Sequence, residues 1–332
     1  MDKKTAIQAV DYFKRELGRI EYIMFFGGEP FLNPDVIAET CKYAAGSVPI
    51  LHAITNGTVV SDKILNIIKT YDMKITVSLD GEKRIHDRLR PFKTGSKSSF
   101  DVISGNLALL KAAAKKLEFE ATYTRKHADM GFTPAEVKKY LSGFGFDGGT
   151  LTEVGTSDPE LKVDSMSDSP GTVKLLENNG TLNPNVERVL LPLLLKQPSR
   201  CLCPIGSDIF AVDVRGDIYP CHMFIGQGQF KLGNVKNDCT LKASRKYLET
   251  MAKMSGLISK QNNARCRDCW ASPLCKGCPG SIYLSSGKIE IPDSFCCGNK
   301  RGIEQVMAEV YAYRQNPQKW QTLAGAVISY EN

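Results

Sequence analysis

Ten of the eleven cysteines of this chain lie between Cys201 and Cys297. The densest stretch, Cys-Arg-Asp-Cys-Trp-Ala-Ser-Pro-Leu-Cys-Lys-Gly-Cys, runs from residue 266 to residue 278. Two cysteines separated by two residues can direct both sulfurs at one metal site, and repetition of that spacing argues against chance. The array therefore predicts a region that is cross-linked by metal rather than built around a large apolar core.

Three kinds of cross-link suit such an array. Four thiolates can hold one structural zinc ion. Eight or more thiolates, with spacings of two, five and two residues in the densest part, fit a pair of iron–sulfur clusters better, because each cluster takes about four cysteines. A disulfide framework is disfavoured, since the first residues do not have the pattern of a signal peptide and cytosolic thiols stay reduced.

The composition is that of an ordinary globular protein, with 332 residues, 42% hydrophobic and 24% charged, and a formal net charge of +7. The positive charge is spread along the chain without a nucleic-acid-binding motif, so we expect no nucleic acid as a partner. The longest apolar run, residues 189–195, is interrupted by Pro192 and is too short to cross a bilayer. We expect a cytoplasmic protein of about two domains, with no membrane partner.

Strand and helix patterns alternate over the first 155 residues. The sequence predicts strands at 20–26, 50–55, 74–79, 117–124 and 150–154, and helices at 2–17, 34–41, 62–68, 100–115 and 134–141, with a loop at 86–90. Strict alternation indicates a parallel α/β sheet or barrel, in which functional groups gather at the carboxyl ends of the strands. Polar or glycine-rich segments follow the first three strands, so we expect them on one rim.

The remainder of the chain is less regular. Residues 156–184 are rich in Ser, Asp, Pro, Gly and Asn and are predicted as a linker or loop, with a helix from Asn183 to Leu195 after it. Arg215-Gly216 between two short apolar runs predicts a hairpin. Little regular structure is expected from there to Cys297, and residues 301–313 have the pattern of a closing helix. Cys41 lies on the apolar side of the second helix and is interpreted as core packing.

Phe-Phe-Gly-Gly-Glu-Pro, residues 25–30, resembles the methionine-binding glycine motif of radical S-adenosylmethionine (SAM) enzymes. Thr-Asn-Gly and Ser-Leu-Asp-Gly follow the next two strands, and glycines allow the backbone to approach a ligand closely. Taken alone, the Gly-Gly pair could equally be a tight strand–helix turn. The resemblance implies an incomplete parallel (β/α), partly TIM-like barrel, whose cofactor-binding residues would be Gly27, Gly28, Glu29, Pro30, Asn56, Ser78 and Arg90.

The cysteine-rich half resembles a SPASM domain, the iron–sulfur module that follows many radical SAM barrels. The resemblance implies two auxiliary 4Fe-4S clusters. One cluster would use Cys203, Cys221 and Cys278, with Cys201 as a fourth ligand left open. The other would use Cys266, Cys269, Cys275 and either Cys296 or Cys297. Cys239 matches no family ligand and is interpreted as structural.

The two resemblances together imply domains at 1–155 (partial barrel), 156–200 (linker and helix) and 201–332 (SPASM domain with a C-terminal helix). Two spacings depart from the usual SPASM pattern: Cys275 and Cys278 are separated by two residues instead of three, and the gap between Cys203 and Cys221 is slightly long. Both departures concern the assignment of individual ligands.

A larger departure concerns the first residues. The family holds its catalytic 4Fe-4S cluster on a Cys-x3-Cys-x2-Cys loop after the first strand, yet no cysteine precedes Cys41. We therefore interpret the sequence as N-terminally truncated, without the first strand and that loop. No catalytic residue is assigned. SAM binding is expected to be weak or lost, and the catalytic cluster is expected only together with the missing segment.

Residues 210–222 and 232–235 are most similar to the peptide-modifying branch of the family. The resemblance implies a maturase for a ribosomally made peptide, forming a cysteine thioether cross-link, with a peptide or protein substrate and a ferredoxin or flavodoxin as electron donor. Two alternatives stay open. One is another SPASM maturase that acts on sulfatases or cross-links proteins, and the other is a non-catalytic iron–sulfur electron-transfer protein. The sequence does not identify the peptide or the bond.

Overall fold

A five-stranded, all-parallel sheet organises the first half of the chain. Its strands follow one another in sequence order and consist of β1 (Tyr22–Phe25), β2 (Ile50–Thr55), β3 (Lys74–Ser78), β4 (Lys116–Tyr123) and β5 (Gly148–Glu153). The coordinates are a computed structural model that describes residues 1–95, 97–163, 174–176, 180, 182–183, 186–237 and 240–331. The sheet confirms the predicted parallel, partial-barrel α/β fold.

Helices connect successive strands, as parallel pairing requires. They are α2 (Pro34–Ala44), α3 (Asp62–Thr70), α4 (Lys83–Leu89), α5 (Ser99–Ala113), α6 (Arg125–Asp129) and α7 (Pro134–Ser142), and a further helix, α1 (Lys3–Leu17), precedes β1. Side-chain caps set several of their starts: the hydroxyl of Ser61 accepts from the backbone of Ile64 at the start of α3, and Thr133 and Glu136 form a capping box at the start of α7.

One prediction in this half was wrong. Residues 86–90 are not a loop, because α4 covers most of them and the amide of Arg90 donates to the carbonyl of His86 at its end. The helix is short and strongly charged, so its sequence shows little amphipathic periodicity. The fully buried Ile85 anchors it instead. Helix α6 was also not predicted, whereas Cys41 is completely buried, in agreement with core packing.

The two faces of the sheet differ in chemistry. Side chains alternate along a strand, and on β2, β3 and β4 every second residue is a buried hydrophobic group: Leu51, Ala53, Ile75, Val77, Leu117, Phe119 and Ala121. The residues between them are mainly polar: His52, Thr76, Ser78, Glu118, Glu120 and Thr122. A parallel sheet with one polar face has the pattern of a barrel wall whose lumen is polar.

The second half contains more helix than predicted. Its elements are α8 (Glu187–Leu194), β6 (Ala211–Val212), β7 (Asp217–Tyr219), β8 (Gly233–Asn234), α9 (Arg245–Ile258), α10 (Ala264–Arg267), α11 (Pro279–Ser286), α12 (Asp293–Arg314) and α13 (Pro317–Glu331). The antiparallel pair β6–β7 confirms the hairpin around Arg215-Gly216. The predicted helix starting at Asn183 begins at Glu187, and Pro184 lies outside the described residues.

The expectation of sparse regular structure before Cys297 was wrong. Helix α9 buries Thr250, Met254, Leu257 and Ile258, a helical spacing that the sequence does contain. Helix α12 begins eight residues before the predicted closing helix, at Asp293, and α13 follows it. The earlier start matters for the site, because it places both Cys296 and Cys297 on a helix.

The chain forms two compact units. The first contains residues 1–154, 158–163 and 206–250, and the second contains 155–157, 164–205 and 251–332. Residues 206–250 thus group with the sheet by contact, although they lie within the predicted SPASM domain. These units are not the same division as the predicted domains at 1–155, 156–200 and 201–332, which stay a prediction. Across the described ranges, no helix is both long and apolar enough to span a membrane.

Candidate cofactor sites

Glu29 organises the carboxyl ends of β1 and β2. Its Oε1 accepts from the Thr55 hydroxyl at 2.8 Å and from the Phe31 amide at 3.0 Å, and its Oε2 accepts from the Asn56 amide at 2.7 Å. Asn56 in turn uses its side-chain oxygen to accept from the amide and hydroxyl of Thr58. The Glu29 carboxylate therefore fixes the shape of the rim, and its predicted second role as acceptor for an ammonium group stays a prediction.

Open space lies beside the Gly-Gly turn. A Cβ atom added to Gly27 or Gly28 would meet no heavy atom within 4 Å, and Pro30 then starts a short 3-10 turn that redirects the chain. The ring of Phe26, just before the turn, lies 4.6 Å from the ring of His222. Exposed backbone with free space beside it at a strand end is what a ligand held by main-chain atoms needs, so this turn fits SAM.

Asp80 is the second anchor of the rim, at the carboxyl end of β3. Its carboxylate is 3% exposed and accepts from Arg90 Nε at 2.5 Å, Arg90 Nη2 at 3.2 Å and the Thr122 amide at 2.9 Å. The ion pair is bidentate, which gives it directional as well as electrostatic strength. Arg90, predicted to contact SAM, thus spends two of its donors on Asp80, and its SAM contact stays a prediction.

Two histidines hold the backbone of Asp80. The Asp80 amide donates to His86 Nδ1 at 3.2 Å, and the Asp80 carbonyl accepts from His127 Nε2 at 2.7 Å. Burial lowers the pKa of His86 to about 4, so this imidazole is neutral at physiological pH and can accept at Nδ1. The rim after β3 is thus fixed from both sides.

The polar face carries a second titratable group near the same rim. Glu120 pairs in register with the predicted site residue Ser78. Burial raises the pKa of Glu120, the positive charge of Arg90 lowers it, and the neighbouring Asp80 raises it again. Ser78 and Glu120 therefore lie at the carboxyl edge that also carries Asn56 and Asp80, as predicted for parallel strands.

Deeper in the sheet, His52 bridges three strands. Its Nδ1 contacts the Tyr22 hydroxyl on β1, and its Nε2 lies 2.8 Å from the Thr76 hydroxyl on β3. Burial lowers the pKa of His52 to about 4 and, together with Glu118, raises that of Tyr22 to about 12. Both side chains are therefore neutral at pH 7 and form an uncharged hydrogen-bonded layer below the rim.

Four cysteines of the second unit influence one another electrostatically. Burial raises the pKa of Cys266, and thiolates at Cys296, Cys275 and Cys269 raise it further. Cys266, Cys275 and Cys296 also pack against a small buried core made of Leu202, Leu257, Ile282 and Ile291. These cysteines belong to the predicted ligand group. Of the two candidates for its fourth member, Cys296 packs beside the others and Cys297 is exposed, and the ligand role of either stays a prediction.

Neighbouring residues support this group. Asn299, one turn after Cys296 on α12, donates from Nδ2 to the Cys275 sulfur at 3.3 Å. Gly277, between Cys275 and Cys278, has no room for a side chain, because an added Cβ would collide with the Phe295 ring. If Cys275 is a ligand, as predicted, this hydrogen bond to its sulfur would be one of the means by which proteins tune iron–sulfur clusters.

The other predicted ligand group is only partly within the second unit. Burial raises the pKa of Cys203, and thiolates at Cys278 and Cys201 raise it further, so these three thiols lie within electrostatic reach. Cys278 caps α11, accepting from the Ser281 amide at 3.4 Å. Cys221 belongs to the first unit, and its place in this group stays a prediction. Cys239 lies outside the described residues.

The two predicted ligand groups consist of cysteines alone. In the described part of the chain, no three Cys, His, Asp or Glu side chains are arranged to hold one metal ion. An all-cysteine donor set of four is the usual one for a 4Fe-4S cluster.

Several rim residues were missed by sequence reasoning. Thr55, Thr122 and His127 hold the rim through hydrogen bonds. Asp80 belongs to the Ser-Leu-Asp-Gly motif, but no role was predicted for its side chain. The sequence signal for these residues is a hydrophobic strand that ends in a polar residue. That signal predicts that the polar side chain lies at the rim, but it does not predict its hydrogen-bond partner. Partners such as Asp80 and Arg90 depend on how the connecting segment folds, and that segment was predicted incorrectly.

A parallel barrel wall with a Gly-Gly-Glu-Pro turn at its rim, together with a separate all-cysteine ligand group, defines the class of iron–sulfur proteins that use SAM. Comparison with known families agrees: the Radical SAM superfamily matches residues 1–116, and the SPASM iron–sulfur cluster-binding domain matches residues 201–270. The chain belongs to the radical SAM superfamily and carries a SPASM domain. These two modules imply iron–sulfur clusters and SAM as cofactors.

Two curated relatives are similar over most of the chain. An uncharacterised protein of Methanocaldococcus jannaschii is 31% identical over 259 residues, which is 73% of this chain and 82% of the relative. A cysteine-type anaerobic sulfatase-maturating enzyme of Clostridium novyi is 24% identical over 327 residues, 88% of this chain and 83% of the relative.

Solved structures share the fold. Native anSMEcpe with bound AdoMet and Cp18Cys peptide superposes with a TM-score of 0.71 at 18% identity, covering 95% of this chain and 91% of that chain. Streptococcus suis SuiB bound to precursor peptide SuiA gives a TM-score of 0.53 at 14% identity, covering 89% and 69%. At these identities the likeness concerns the fold alone.

Proposed function

We propose that the barrel and SPASM domain of this chain serve in a maturase that modifies a peptide or protein substrate by radical SAM chemistry. The observation that carries the proposal is the combination of a SAM-type rim, fixed by Glu29 and Asp80, with the four-thiol group around Cys266. When bound, SAM and its cluster supply the one-electron chemistry that generates a radical.

The chain's own residues have positioning roles in this proposal. Glu29 and Asp80 hold the rim, the Gly27–Gly28 backbone accepts the methionine end of SAM, and Asn56 offers its side-chain Nδ2 because its oxygen is already bonded to Thr58. Ser78 and Glu120 lie where a ribose or a substrate group would enter. The apolar side of the sheet faces away from this chemistry and forms the core.

For the substrate, we propose a cysteine-containing ribosomal peptide that receives a thioether cross-link. The sequence resemblance of residues 210–222 to the peptide-modifying branch supports it, and SuiB, which shares the fold, was solved with a precursor peptide. The second candidate is sulfatase maturation, which the similarity to the Clostridium novyi enzyme favours. A cytoplasmic location and a ferredoxin or flavodoxin donor remain part of this proposal.

Metal content tests the core of the proposal. Anaerobically reconstituted protein should bind about eight irons and eight sulfides, corresponding to two auxiliary 4Fe-4S clusters. Zinc at one or two equivalents without sulfide would instead favour a structural zinc domain.

Reductive cleavage of SAM tests the assignment of the radical chemistry. The 332 residues contain a single cysteine before Cys201, so a protein of these residues alone should not form 5′-deoxyadenosine with dithionite and SAM. Supplying an upstream segment with Cys-x3-Cys-x2-Cys should switch cleavage on. If it does not, the non-catalytic electron-transfer alternative becomes the better one.

A mixed-substrate assay separates the two maturase candidates. The complete enzyme is incubated with a cysteine-rich precursor peptide and with a cysteine peptide from a sulfatase. A thioether product blocks alkylation of the peptide thiol while the sulfur stays in the peptide, which mass spectrometry detects. Modification of only the sulfatase peptide would contradict the thioether proposal.

A further inference from the structure

Lys260 is buried within the second compact unit, which carries most of the cysteines and is called the cysteine unit from here on. The first compact unit, which contains the parallel sheet, is called the sheet unit. Lys260 is 4% exposed, and no other lysine or arginine in the described ranges is classed as buried. A buried ammonium group is costly unless hydrogen bonds and a negative charge compensate it. The partners of Lys260 therefore indicate what this position is built to face.

Hydrogen bonds satisfy part of this requirement. Lys260 Nζ donates to the Ser199 carbonyl at 2.9 Å and also to the Ser272 carbonyl. Ser199 lies two residues before Cys201, and Ser272 lies inside the loop between Cys269 and Cys275. The ammonium group thus joins the backbone of one cysteine segment to the backbone of the other.

The surrounding backbone holds these segments in place independently. Cys201 forms an isolated antiparallel bridge with Ser259, the Leu202 amide donates to the Ile258 carbonyl at 3.0 Å, and the Ser199 amide donates to the Pro273 carbonyl at 2.8 Å. The position of Lys260 is therefore set by main-chain pairing. The main chain alone can therefore hold the two cysteine segments together, without the charge of the Lys260 side chain.

Within the described residues, no Asp or Glu lies within ion-pair distance of Lys260. Burial lowers the pKa of Lys260 most, thiolates at Cys275, Cys201 and Cys266 raise it, and the positive charge of Lys276 lowers it. The negative groups that act on Lys260 are therefore cysteines. These cysteines belong to both predicted ligand groups. Arg265, by contrast, is exposed and pairs with Asp293.

We infer that Lys260 is the buried counter-charge of the auxiliary iron–sulfur clusters and stabilises their reduced states. The inference rests on the proposed cluster sites. A cluster held by four thiolates is anionic, and accepting one electron makes it more negative. A fixed positive charge in a low-dielectric interior favours that added electron, and net charge near a cluster is one of the determinants of its reduction potential.

Substitution of Lys260 tests the inference with cluster potentials as the readout. Lys260→Gln keeps a hydrogen-bond donor and removes the charge, whereas Lys260→Arg keeps the charge. The matched control is Lys276→Gln, which removes the same charge beside Cys275 from an exposed side chain. Anaerobically reconstituted proteins are titrated with dithionite, and the reduced clusters are followed by electron paramagnetic resonance.

We expect Lys260→Gln to make reduction at least about tenfold less favourable, which for a one-electron couple is a fall of about 59 mV in midpoint potential. Lys260→Arg should keep the potential of the unmodified protein. Lys276→Gln should shift it little, because solvent screens an exposed charge. The cluster held by Cys266, Cys269, Cys275 and Cys296 should shift more, since Cys275 exerts the strongest influence on Lys260.

The other outcomes of the Lys260 substitutions distinguish a charge role from a packing role. An unchanged potential in Lys260→Gln with full iron content would overturn the inference. Loss of iron in Lys260→Gln but not in Lys260→Arg would support a charge requirement, whereas equal loss in both would indicate a packing role and overturn it. Absence of iron and sulfide in the unmodified protein would instead contradict the proposed cluster sites, so the two failures are distinguishable.

Discussion

The sheet unit and the cysteine unit hold their candidate cofactor sites by different means. At the rim of the sheet, Glu29 and Asp80 each accept three hydrogen bonds from the chain itself. The strands and helices around them bury many hydrophobic side chains. Around Cys266 the buried core consists of four residues, Leu202, Leu257, Ile282 and Ile291, and the cysteines pack directly on it.

The difference concerns what each site needs in order to exist. The rim is preorganised, because its polar groups already have partners before any ligand arrives. The thiol groups are not, since burial and mutual repulsion raise the pKa of Cys266 and Cys296 and oppose the thiolate form that binds metal. Metal binding must displace those protons, and the free energy that it returns contributes to folding of the unit. We therefore expect loss of metal to loosen the second unit and to leave the first unit unchanged.

The largest expected effect concerns the fourth ligand of the Cys266 group. Cys296→Ala should lose about half of the bound iron and sulfide, because a cluster deprived of one of four thiolates is poorly held. The adjacent Cys297→Ala, on the same helix but exposed, should keep full iron. Iron and sulfide analysis after anaerobic reconstitution measures both.

The same pair of variants sharpens the comparison between the units. Trp270 and Trp320, the two tryptophans of the chain, both belong to the second unit. Their fluorescence should change in Cys296→Ala because the second unit loosens. The far-ultraviolet circular dichroism signal of the sheet should not change. Iron loss in Cys297→Ala instead of Cys296→Ala would reverse the ligand assignment.

Removal of the buried Asp80 carboxylate should destabilise the sheet unit without affecting the cysteine unit. Asp80→Ala leaves the Arg90 guanidinium and the Thr122 amide without their acceptor, which should lower the free energy of unfolding by about 3 kcal/mol. Urea unfolding followed by circular dichroism measures the loss, while iron content should not change.

The matched control for this prediction is an exposed ion pair of the same unit. Lys83 and Asp101 are both more than half exposed, so Asp101→Ala should change stability by less than about 1 kcal/mol. Equal losses in Asp80→Ala and Asp101→Ala would show that the buried rim contacts do not stabilise the sheet as proposed.

The sequence was sufficient for the regular part of the sheet unit. Strand β2 was predicted with its observed bounds, and the glycine-rich segments were placed on one rim, because hydrophobic periodicity and turn chemistry are local signals. Helix α4 was missed because only two adjacent residues, Ile85 and His86, are buried, which gives no helical periodicity. The ion pair between Asp80 and Arg90 could not be predicted without that helix.

In the cysteine unit the reverse holds. The spacing of Cys266, Cys269 and Cys275 predicted a ligand group, but the dominance of cysteine obscured the helical spacing of Met254, Leu257 and Ile258 on α9. A preference between Cys296 and Cys297 depends on how α12 is oriented about its own axis, because successive side chains on a helix point in different directions. The sequence does not give that orientation. Lys260 carried no sequence signal, because its burial results from pairing between distant segments.

The effect expected to be smallest near neutral pH is the acid sensitivity of the sheet unit, which arises from His52. Its pKa falls from 6.5 to about 4 on folding, so the folded state favours the neutral imidazole and the unfolded state binds the proton more readily. The stabilising contribution is therefore fully present above about pH 6.5 and is lost as the pH falls toward 4. Linkage converts this fall in pKa into about 3 kcal/mol, lost between pH 6.5 and pH 4. His52→Gln should flatten the decline in urea midpoint between these pH values, and an unchanged slope would assign the acid sensitivity to other groups, such as His86.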